Sequence, residues 1–195
     1  MENKTIKIVF ATGNPHKLHE INEISKGSGI EFVLPPDNFD PDETGLTFEE
    51  NSYIKAKEAA RLSGSISLAD DSGLCVDALN GEPGIYSARY AKTPQARIDK
   101  LLANLTDVGN RKAKFVCAMT LVDESGNILD KEIGECHGQI AQKQSGVNGF
   151  GYDPIFLVDG YGITMADMSE ELKNVVSHRS SALNKIISYI KTSLM

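Results

Sequence analysis

An apolar strand-like segment is followed directly by an amphipathic helix-like segment at the start of this chain of 195 residues. Residues 6–11 read IKIVFA, a run typical of a buried strand, and residues 17–25 carry Leu18, Ile21 and Ile24 at helical spacing. A strand and a helix in this order form a βα unit, which restricts a chain to folds in which helices cover a sheet. We therefore expect an α/β protein.

Two further helices are marked by their capping residues. Thr47 and Glu50 have the spacing of a capping box, and Gly64 is placed to end the helix that follows. Thr93 followed by Pro94 is typical of an N-cap and a first helical residue. These signals predict that helices continue through the first half of the chain.

The second half of the chain is richer in strands. Segments 114–122 and 128–140 flank a short polar turn and predict a hairpin, and residues 155–158 predict a further short strand. Residues 180–194 place leucine and isoleucine at helical spacing and predict a closing helix. No linker or repeat divides the chain, so we expect one domain over residues 1–195, with a mixed β-sheet flanked by helices.

The composition limits the class of function. Lys and Arg number 20 against 27 Asp and Glu, which gives a formal net charge of -7 and argues against a nucleic-acid-binding protein. The sequence contains no run of about 18 apolar residues and no cleavage-like signal, so we expect no membrane association. The three cysteines form no C-x-x-C pattern, and we expect reduced thiols in a cytoplasmic protein.

Two adjacent acids, Asp70 and Asp71, close a short apolar run and precede Ser72 and Gly73. Neighbouring carboxylates at a strand end repel each other unless a cation, a lysine or a shared proton compensates. Mg²⁺ is the natural candidate, because it is commonly held by one or two carboxylates together with substrate phosphates. The alternative is a solvated turn, for which these residue types are also typical. Residue chemistry alone does not distinguish which of the two acids would act as a base.

The loop between the first strand and the first helix is a candidate anion site. Free backbone N–H groups and the helix dipole favour negative charge at a helix start, and a glycine permits a phosphate to approach the backbone closely. The alternative is an ordinary βα turn that ends in a lysine. The loop consists of Thr12, Gly13, Asn14, Pro15, His16 and Lys17.

A glycine-punctuated loop precedes the short strand near the end of the chain. Phe150 is placed to stack on a base, and Asp153 stands just ahead of the strand. Alternatively, Phe150 and Tyr152 fill the core beneath a tight turn.

Basic residues gather near the last helix. Lys173 is followed by Ser177, which has the character of an N-cap, and then by His178 and Arg179. Basic side chains at a helix N-terminus are disfavoured by the helix dipole unless an anion or an acceptor lies nearby. The pattern therefore favours a ligand site over an ordinary helix cap with solvated basic residues.

Five sequence blocks carry a family resemblance: TGNPHK, ETGLTFEENSYIKA, LADDSGLCVDALNGEPGIYSARY, GFGYDPIF, and KN followed by SHR. The blocks extend from Phe10 to Leu183. Because all five occur in this order, the chain resembles the inosine triphosphate pyrophosphatase (Ham1-like) family of non-canonical purine NTP diphosphatases. The DDSG sequence resembles the bacterial branch of dITP/XTP pyrophosphatases.

The resemblance implies both a fold and an activity. The implied fold is the elongated ITPase-like, or Maf-Ham1, α/β fold with two lobes and a central active-site cleft. The implied activity is hydrolysis of ITP, dITP and XTP to the nucleoside monophosphate and pyrophosphate, with Mg²⁺ as cofactor, by a homodimer.

The resemblance also implies roles for individual residues. Asp71 corresponds to the general base, and Lys17 and Lys55 face the phosphates. Ser72 and residues 12–17 complete the phosphate cradle. The implied metal ligands are Glu43, Asp70 and Asp71. The implied nucleoside pocket contains Phe150, Gly151, Tyr152, Asp153, Lys173, His178 and Arg179.

Selectivity among purine bases can be explained by hydrogen bonding at C6. Hypoxanthine and xanthine present a carbonyl acceptor at C6, which Arg179 and Lys173 can satisfy. Adenine presents an amino donor and would leave buried donors unpaired. The chain departs from the family pattern at Leu172, which stands in a position that is usually acidic, and we expect only a minor consequence.

Two other functions remain as alternatives. A Maf-like pyrophosphatase would have a Ser-rich, double-arginine loop where this chain has TGNPHK. A nucleotide-binding sensor or partner protein would use the same pocket without turnover. The second alternative is disfavoured because acidic residues at a phosphate-binding site usually take part in catalysis. The acids and the lysine in question are Glu43, Asp70, Asp71 and Lys17.

Overall fold

The computed structural model describes residues 5–195, so residues 1–4 of the predicted domain lie outside the described residues. The described chain folds as two compact units. The first unit contains the chain up to Asp71 together with Cys117–Gly134 and Arg179–Met195, and the second contains Ser72–Val116 and Glu135–His178. The chain enters each unit more than once, so neither unit is a contiguous stretch of sequence.

Six strands form a mixed sheet, which confirms the predicted architecture. The strands are β1 Ile6–Phe10, β2 Ile30–Val33, β3 Ser67–Val76, β4 Lys112–Val122, β5 Ile128–Ile140 and β6 Phe156–Val158. Their order is β2-β1-β3-β4-β5-β6. β1 pairs in parallel with β2 and β3, with Val9 opposite Val33 and Ser67, whereas β5 and β6 are antiparallel.

Within residues 5–195, five α-helices accompany the sheet. They are α1 Pro15–Ile24, α2 Phe48–Ser63, α3 Pro94–Asn104, α4 Glu170–Val176 and α5 His178–Ser193. The predicted N-caps are confirmed, since Thr47 Oγ1 accepts from the Glu50 N–H and Thr93 Oγ1 accepts from the Ala96 N–H, both at 3.1 Å. The Glu50 side chain accepts from the Leu46 N–H, not from the Thr47 N–H that a capping box uses. Gly64 ends α2 in the left-handed conformation, with φ of 62°. The short helix α4 was not predicted.

Strand β3 is longer than the sequence indicated. Asp70 and Asp71 lie in the middle of this strand, with exposed fractions of 1% and 7%, so the alternative of a solvated turn is wrong. Backbone pairing carries the strand on through Ser72 and Gly73, although these residue types favour turns. The two buried carboxylates must therefore find partners within the protein.

Each unit has its own apolar core. The core of the first unit includes Phe10, Phe32, Leu68, Met119, Leu183 and Ile186. The core of the second unit includes Leu74, Leu101, Phe115, Ile140, Phe156 and Met165.

Small side chains bring α2 close to the strands of the first unit. Ala56, Ala59 and Ala60 are fully buried and cluster with Val9 and Ala69. Because alanine adds little bulk, the helix axis can lie near the sheet, and polar residues on the same helix reach the acids of β3.

The cysteines are free thiols, and two of them, Cys117 and Cys136, are buried, in agreement with the expected reduced state. Within residues 5–195, no helix combines the length and the apolar character that a membrane crossing requires.

Candidate active site

The loop between β1 and α1 caps the helix with its own side chains. Asn14 Oδ1 accepts from the His16 N–H at 3.0 Å, and the Asn14 N–H donates to Thr12 Oγ1 at 3.1 Å. Pro15 opens the helix, where no backbone donor is needed. A Cβ at Gly13 would meet no heavy atom within 4 Å, so packing within the protein does not require glycine there. A ligand that approaches the backbone would require it.

Cations surround Asp70. Lys17, in the first turn of α1, donates to Asp70 Oδ1 at 3.0 Å, and Arg179, in the first turn of α5, donates to Oδ2. The Cys117 thiol lies 4.0 Å from Oδ2. Burial by itself raises the pKa of Asp70, but Lys17, Arg179 and Lys55 outweigh it. The pKa of Asp70 therefore lies well below its ordinary range, and the group is ionised.

Arg179 contacts a second buried carboxylate. Its side chain is 2% exposed, and Nη1 donates to Glu20 Oε2 of α1. Burial lowers the pKa of Arg179, but Asp70 and Glu20 raise it above its ordinary value, so the guanidinium stays charged. These contacts give Arg179 a place in the carboxylate cluster of the first unit, a role that the sequence did not predict.

Asp71 faces helix α2. Lys55 Nζ lies 3.2 Å from Asp71 Oδ1, and Asn51 Nδ2 donates to Oδ2 at 3.3 Å. Asn51 and Lys55 are four residues apart and share one face of the helix. Lys55 also pairs with Glu43 Oε1 at 3.6 Å, so one lysine links two acids.

The two adjacent acids have opposite electrostatic environments. Burial raises the pKa of Asp71, and although Lys55 and Lys17 lower it, Asp70 and Glu43 add to the rise, which leaves it above its ordinary value. Successive strand residues point to opposite faces of a sheet, so the two acids meet different partners. Neighbouring acids with divergent pKa values are typical of acid and base assignments. This contrast distinguishes the two acids, which residue chemistry alone did not.

In the second unit, Asp153 holds together the glycine-punctuated loop. Its Oδ2 accepts from Lys173 Nζ at 2.8 Å and from the Phe150 N–H at 2.9 Å, and Lys173 Nζ lies 4.8 Å from the centre of the Phe150 ring. Gly149 has φ of 73°, and a Cβ there would come within 2.0 Å of Asp153 Oδ2. Gly151 also has positive φ, at 64°. Both glycines are therefore required by the backbone path of this loop.

The other predicted residues of the second unit have distinct surroundings. Tyr152 is buried, and its hydroxyl donates to the Ser87 carbonyl at 2.9 Å, so this ring fills the core, as the alternative interpretation held. The His178 ring stacks on Phe115, with centroids 4.9 Å apart and planes at 14°. Ser72 is half-buried in β3.

The family model of the Ham1 family matches residues 8–189 of the chain. The chain belongs to the Ham1 family. This match confirms the resemblance carried by the five sequence blocks.

Named relatives of this Ham1-family protein cover nearly its whole length. A dITP/XTP pyrophosphatase of Prochlorococcus marinus is 44% identical over 189 residues, which is 97% of this chain and 96% of the relative. A dITP/XTP pyrophosphatase of Treponema denticola is 46% identical over 198 residues, with 96% and 100% covered. A solved HAM1 protein from Coxiella burnetii has a TM-score of 0.87 and 39% identity, and the match covers 97% of this chain and 100% of that one.

In this Ham1-family protein the carboxylates are paired with cations rather than gathered into a metal cage. Among residues 5–195, no group of three or more His, Cys, Asp or Glu side chains is placed to hold a metal ion. The predicted cluster of Glu43, Asp70 and Asp71 is thus not assembled, because Lys55 bridges Glu43 and Asp71. Glu43 and Asp71 both contact Lys55 Nζ, so these two carboxylates lie near each other and fit Mg²⁺, which commonly takes one or two carboxylates and completes its shell with phosphate and water oxygens.

Sequence reasoning missed two buried polar residues of this Ham1-family site. Glu20 follows Lys17 by three residues, so the spacing places both on one face of α1, but it does not indicate a partner in α5. Asn51 shares a face with Lys55 by spacing, but the spacing does not identify Asp71 as its partner.

Proposed function

We propose that this Ham1-family protein hydrolyses the non-canonical purine nucleoside triphosphates ITP, dITP and XTP to the nucleoside monophosphate and pyrophosphate. The observation that carries the proposal is the buried pair Asp70 and Asp71, whose pKa values are displaced in opposite directions and whose oxygens are contacted by Lys17 and Lys55. The relatives named dITP/XTP pyrophosphatase, at 44% and 46% identity, support it.

The proposed reaction is attack of water on the α-phosphorus. Asp71 accepts the proton of the attacking water, a new oxygen–phosphorus bond forms, and pyrophosphate leaves with the electron pair of the bond that breaks. Lys17 and Lys55 neutralise the charge that develops on the leaving group. The loop of residues 12–17 and the Ser72 hydroxyl hold phosphate oxygens.

We assign Mg²⁺ binding to Asp71 and Glu43, whose oxygens both contact Lys55 Nζ. When bound, the ion neutralises phosphate charge and lowers the pKa of a coordinated water. Arg179 keeps Asp70 ionised and oriented, and Glu43, which the resemblance also assigns to the metal, holds Lys55 beside Asp71.

We assign base recognition to the second unit. Phe150 supplies a face on which a purine can stack. Asp153 holds the Lys173 ammonium, which has three donors and can give one of them to the C6 carbonyl of hypoxanthine or xanthine. The amino group of adenine cannot accept that hydrogen bond, so adenine is disfavoured. Gly151 and His178 complete the proposed pocket, and the buried Tyr152 supports the loop from the core.

We also propose that the two units act as one functional domain, in a cytoplasmic homodimer. The family model includes residues of both units, and the dimer follows from the family resemblance. The free cysteines agree with a reducing compartment. Light scattering after size-exclusion chromatography tests the oligomeric state.

Product analysis with purified protein tests the activity. ITP, dITP, XTP, ATP and GTP are incubated separately with Mg²⁺, and pyrophosphate and orthophosphate are measured with and without a chelator. We expect chelator-sensitive release of pyrophosphate from ITP, dITP and XTP and little product from ATP or GTP. Orthophosphate as the first product would contradict the proposal, and nucleotide binding without turnover would favour the alternative of a sensor protein.

The variant Asp71→Asn tests the general base. It should retain nucleotide binding while turnover falls by about 100-fold or more. Asp99→Asn is the matched control, because Asp99 is exposed on α3 and accepts a hydrogen bond from Gln95 at the surface. A normal rate in Asp71→Asn would remove this residue from the mechanism.

A further inference from the structure

We propose that Asn51 is a positioning residue that locks the carboxylate of Asp71 to the backbone of the segment that carries Glu43. The inference rests on the proposed function for its catalytic consequence, but it begins from geometry alone. Asn51 is 0% exposed and lies in the first turn of α2. A fully buried amide needs partners for both of its polar atoms, because an unsatisfied one costs stability.

Both polar atoms of the Asn51 side chain have partners of opposite character. Oδ1 accepts from the Gly45 N–H at 2.8 Å, and Nδ2 donates to Asp71 Oδ2 at 3.3 Å. The Gly45 N–H can only donate, and the Asp71 oxygen that faces Asn51 Nδ2 accepts. The amide therefore has one orientation that satisfies both neighbours, and a side chain without both an acceptor and a donor cannot replace it.

Gly45 is pressed against the start of the helix. A Cβ at this position would lie 2.6 Å from Asn51 Oδ1, 2.7 Å from Glu50 Cβ and 2.9 Å from Asn51 N. Each distance is shorter than a real Cβ contact, so any larger residue would push the segment away from α2. Close approach, rather than an unusual backbone angle, is what requires glycine here.

The same segment is tied to the helix at a second point. Glu50 Oε2 accepts from the Leu46 N–H at 2.6 Å, while Thr47 caps the helix start. Two residues before Gly45, Glu43 pairs with Lys55, which contacts Asp71 Oδ1. Asn51 and Lys55 thus connect the segment to the two different oxygens of Asp71.

A carboxylate held at both oxygens cannot rotate freely. If Asp71 is the proton acceptor, its rotation changes the distance to the attacking water, and misplacement by about 1 Å can cost about 100-fold in rate. Loss of the Asn51 contact should therefore lower kcat and leave KM nearly unchanged, because Asn51 has no predicted contact with the nucleotide.

Three variants separate the two hydrogen bonds of Asn51. Asn51→Asp keeps an acceptor for Gly45 and loses the donor to Asp71, Asn51→Ala loses both, and Gly45→Ala displaces the segment. We expect kcat to fall by about 10- to 100-fold in each, with KM changed by less than about threefold. The kcat of the double variant Gly45→Ala/Asn51→Ala should be no lower than that of the less active single variant, because both changes break the same connection.

Matched controls measure the cost of disturbing α2 and of adding a methyl group. Ser52→Ala removes a buried hydroxyl of the next residue, which bonds Thr120 Oγ1 at 2.6 Å and not Asp71. Gly109→Ala adds a Cβ with no atom within 4 Å. Both should keep kcat within about twofold of the unchanged protein, even if Ser52→Ala lowers the melting temperature.

Amide hydrogen exchange tests the connection without reference to activity. The Gly45 N–H should be protected in the unchanged protein and in Asn51→Asp, and should exchange faster in Asn51→Ala. If the protein shows this exchange pattern but hydrolyses no triphosphate, the proposed function is refuted, whereas the hydrogen-bonded connection between Asn51 and Gly45 is supported. Unchanged Gly45 exchange in folded Asn51→Ala, or an unchanged kcat in an active Asn51→Ala enzyme, would overturn the positioning role.

Discussion

Arg179 donates to Asp70 through two of its nitrogen atoms, with Nε at 3.3 Å and Nη2 at 3.0 Å from the same carboxylate oxygen. The two residues are 109 positions apart in the sequence, and each is 1% exposed. A buried charge pair of this kind contributes little net stability against an apolar pair, but removal of one partner leaves the other charged and desolvated. The pair is therefore a sensitive point of the first unit.

We expect Arg179→Met to destabilise the protein by about 3–5 kcal/mol, because Asp70 then loses a buried partner. Arg179→Lys should also destabilise it, since an ammonium cannot reproduce the planar set of donors. Urea unfolding followed by circular dichroism measures both. Arg61→Met is the control, because Arg61 pairs with Glu58 at the surface and should matter little. An Arg179→Met protein as stable as the unchanged one would contradict the importance of the pair.

Glu20 should contribute separately to the stability of the fold, through its contact with Arg179. Glu20→Gln keeps an acceptor for the guanidinium but removes a negative charge, and we expect a loss of about 1–3 kcal/mol in the free energy of unfolding. Glu23→Gln on the same helix is the matched control, since Glu23 forms an exposed pair with Lys26 at 3.7 Å. Equal effects of the two changes would show that burial of Glu20 has no special consequence.

The opposite pKa shifts of the adjacent acids predict opposite effects on stability. Asp70, whose folded pKa is depressed, contributes stability that is complete above the unfolded value of about 3.9 and is lost as the pH falls through the folded pKa. Asp71, whose folded pKa is raised, costs stability once it ionises, and this cost is relieved as the pH falls toward the unfolded value.

We therefore expect Asp70→Asn to be strongly destabilising near pH 7, with a deficit that shrinks below about pH 4. Asp71→Asn should destabilise the protein less than Asp70→Asn near pH 7, since it removes an ionised form that costs stability but leaves the buried Lys55 ammonium with one anionic partner fewer. Urea unfolding at a series of pH values provides the comparison. Equal losses for the two variants at neutral pH would contradict the electrostatic contrast between the acids.

Local sequence signals predicted the helices and the class of the fold, because capping residues and apolar spacing act over a few positions. Thr47, Thr93 and Gly64 are found as predicted. The residue types in DDSG, which favour turns, did not predict the strand that forms there. Strand pairing and cations distant in the sequence determine the structure of this segment. Helix α4 is too short, at seven residues, for its spacing to stand out.

Partners far apart in the sequence could not be predicted from the residues alone. The contact between Arg179 and Glu20 joins positions 159 apart, and nothing in the local pattern of either helix specifies it. Asn51 illustrates the same point, since its spacing indicates a helix face but not the strand that the face meets. Such pairs depend on tertiary packing, which single-sequence patterns do not describe.

Base selectivity should depend on Lys173, because Asp153 holds its ammonium beside the Phe150 ring. Lys173→Met removes the donor proposed for the C6 carbonyl, and we expect the ratio of kcat/KM for ITP to that for ATP to fall by about 10-fold or more. Arg179→Met should instead lower turnover of both triphosphates by similar factors. Lys143→Met, which changes an exposed lysine of the second unit, is the control. A similar loss for ITP and ATP in Lys173→Met would assign this lysine to the phosphates, because phosphate contacts do not depend on the base.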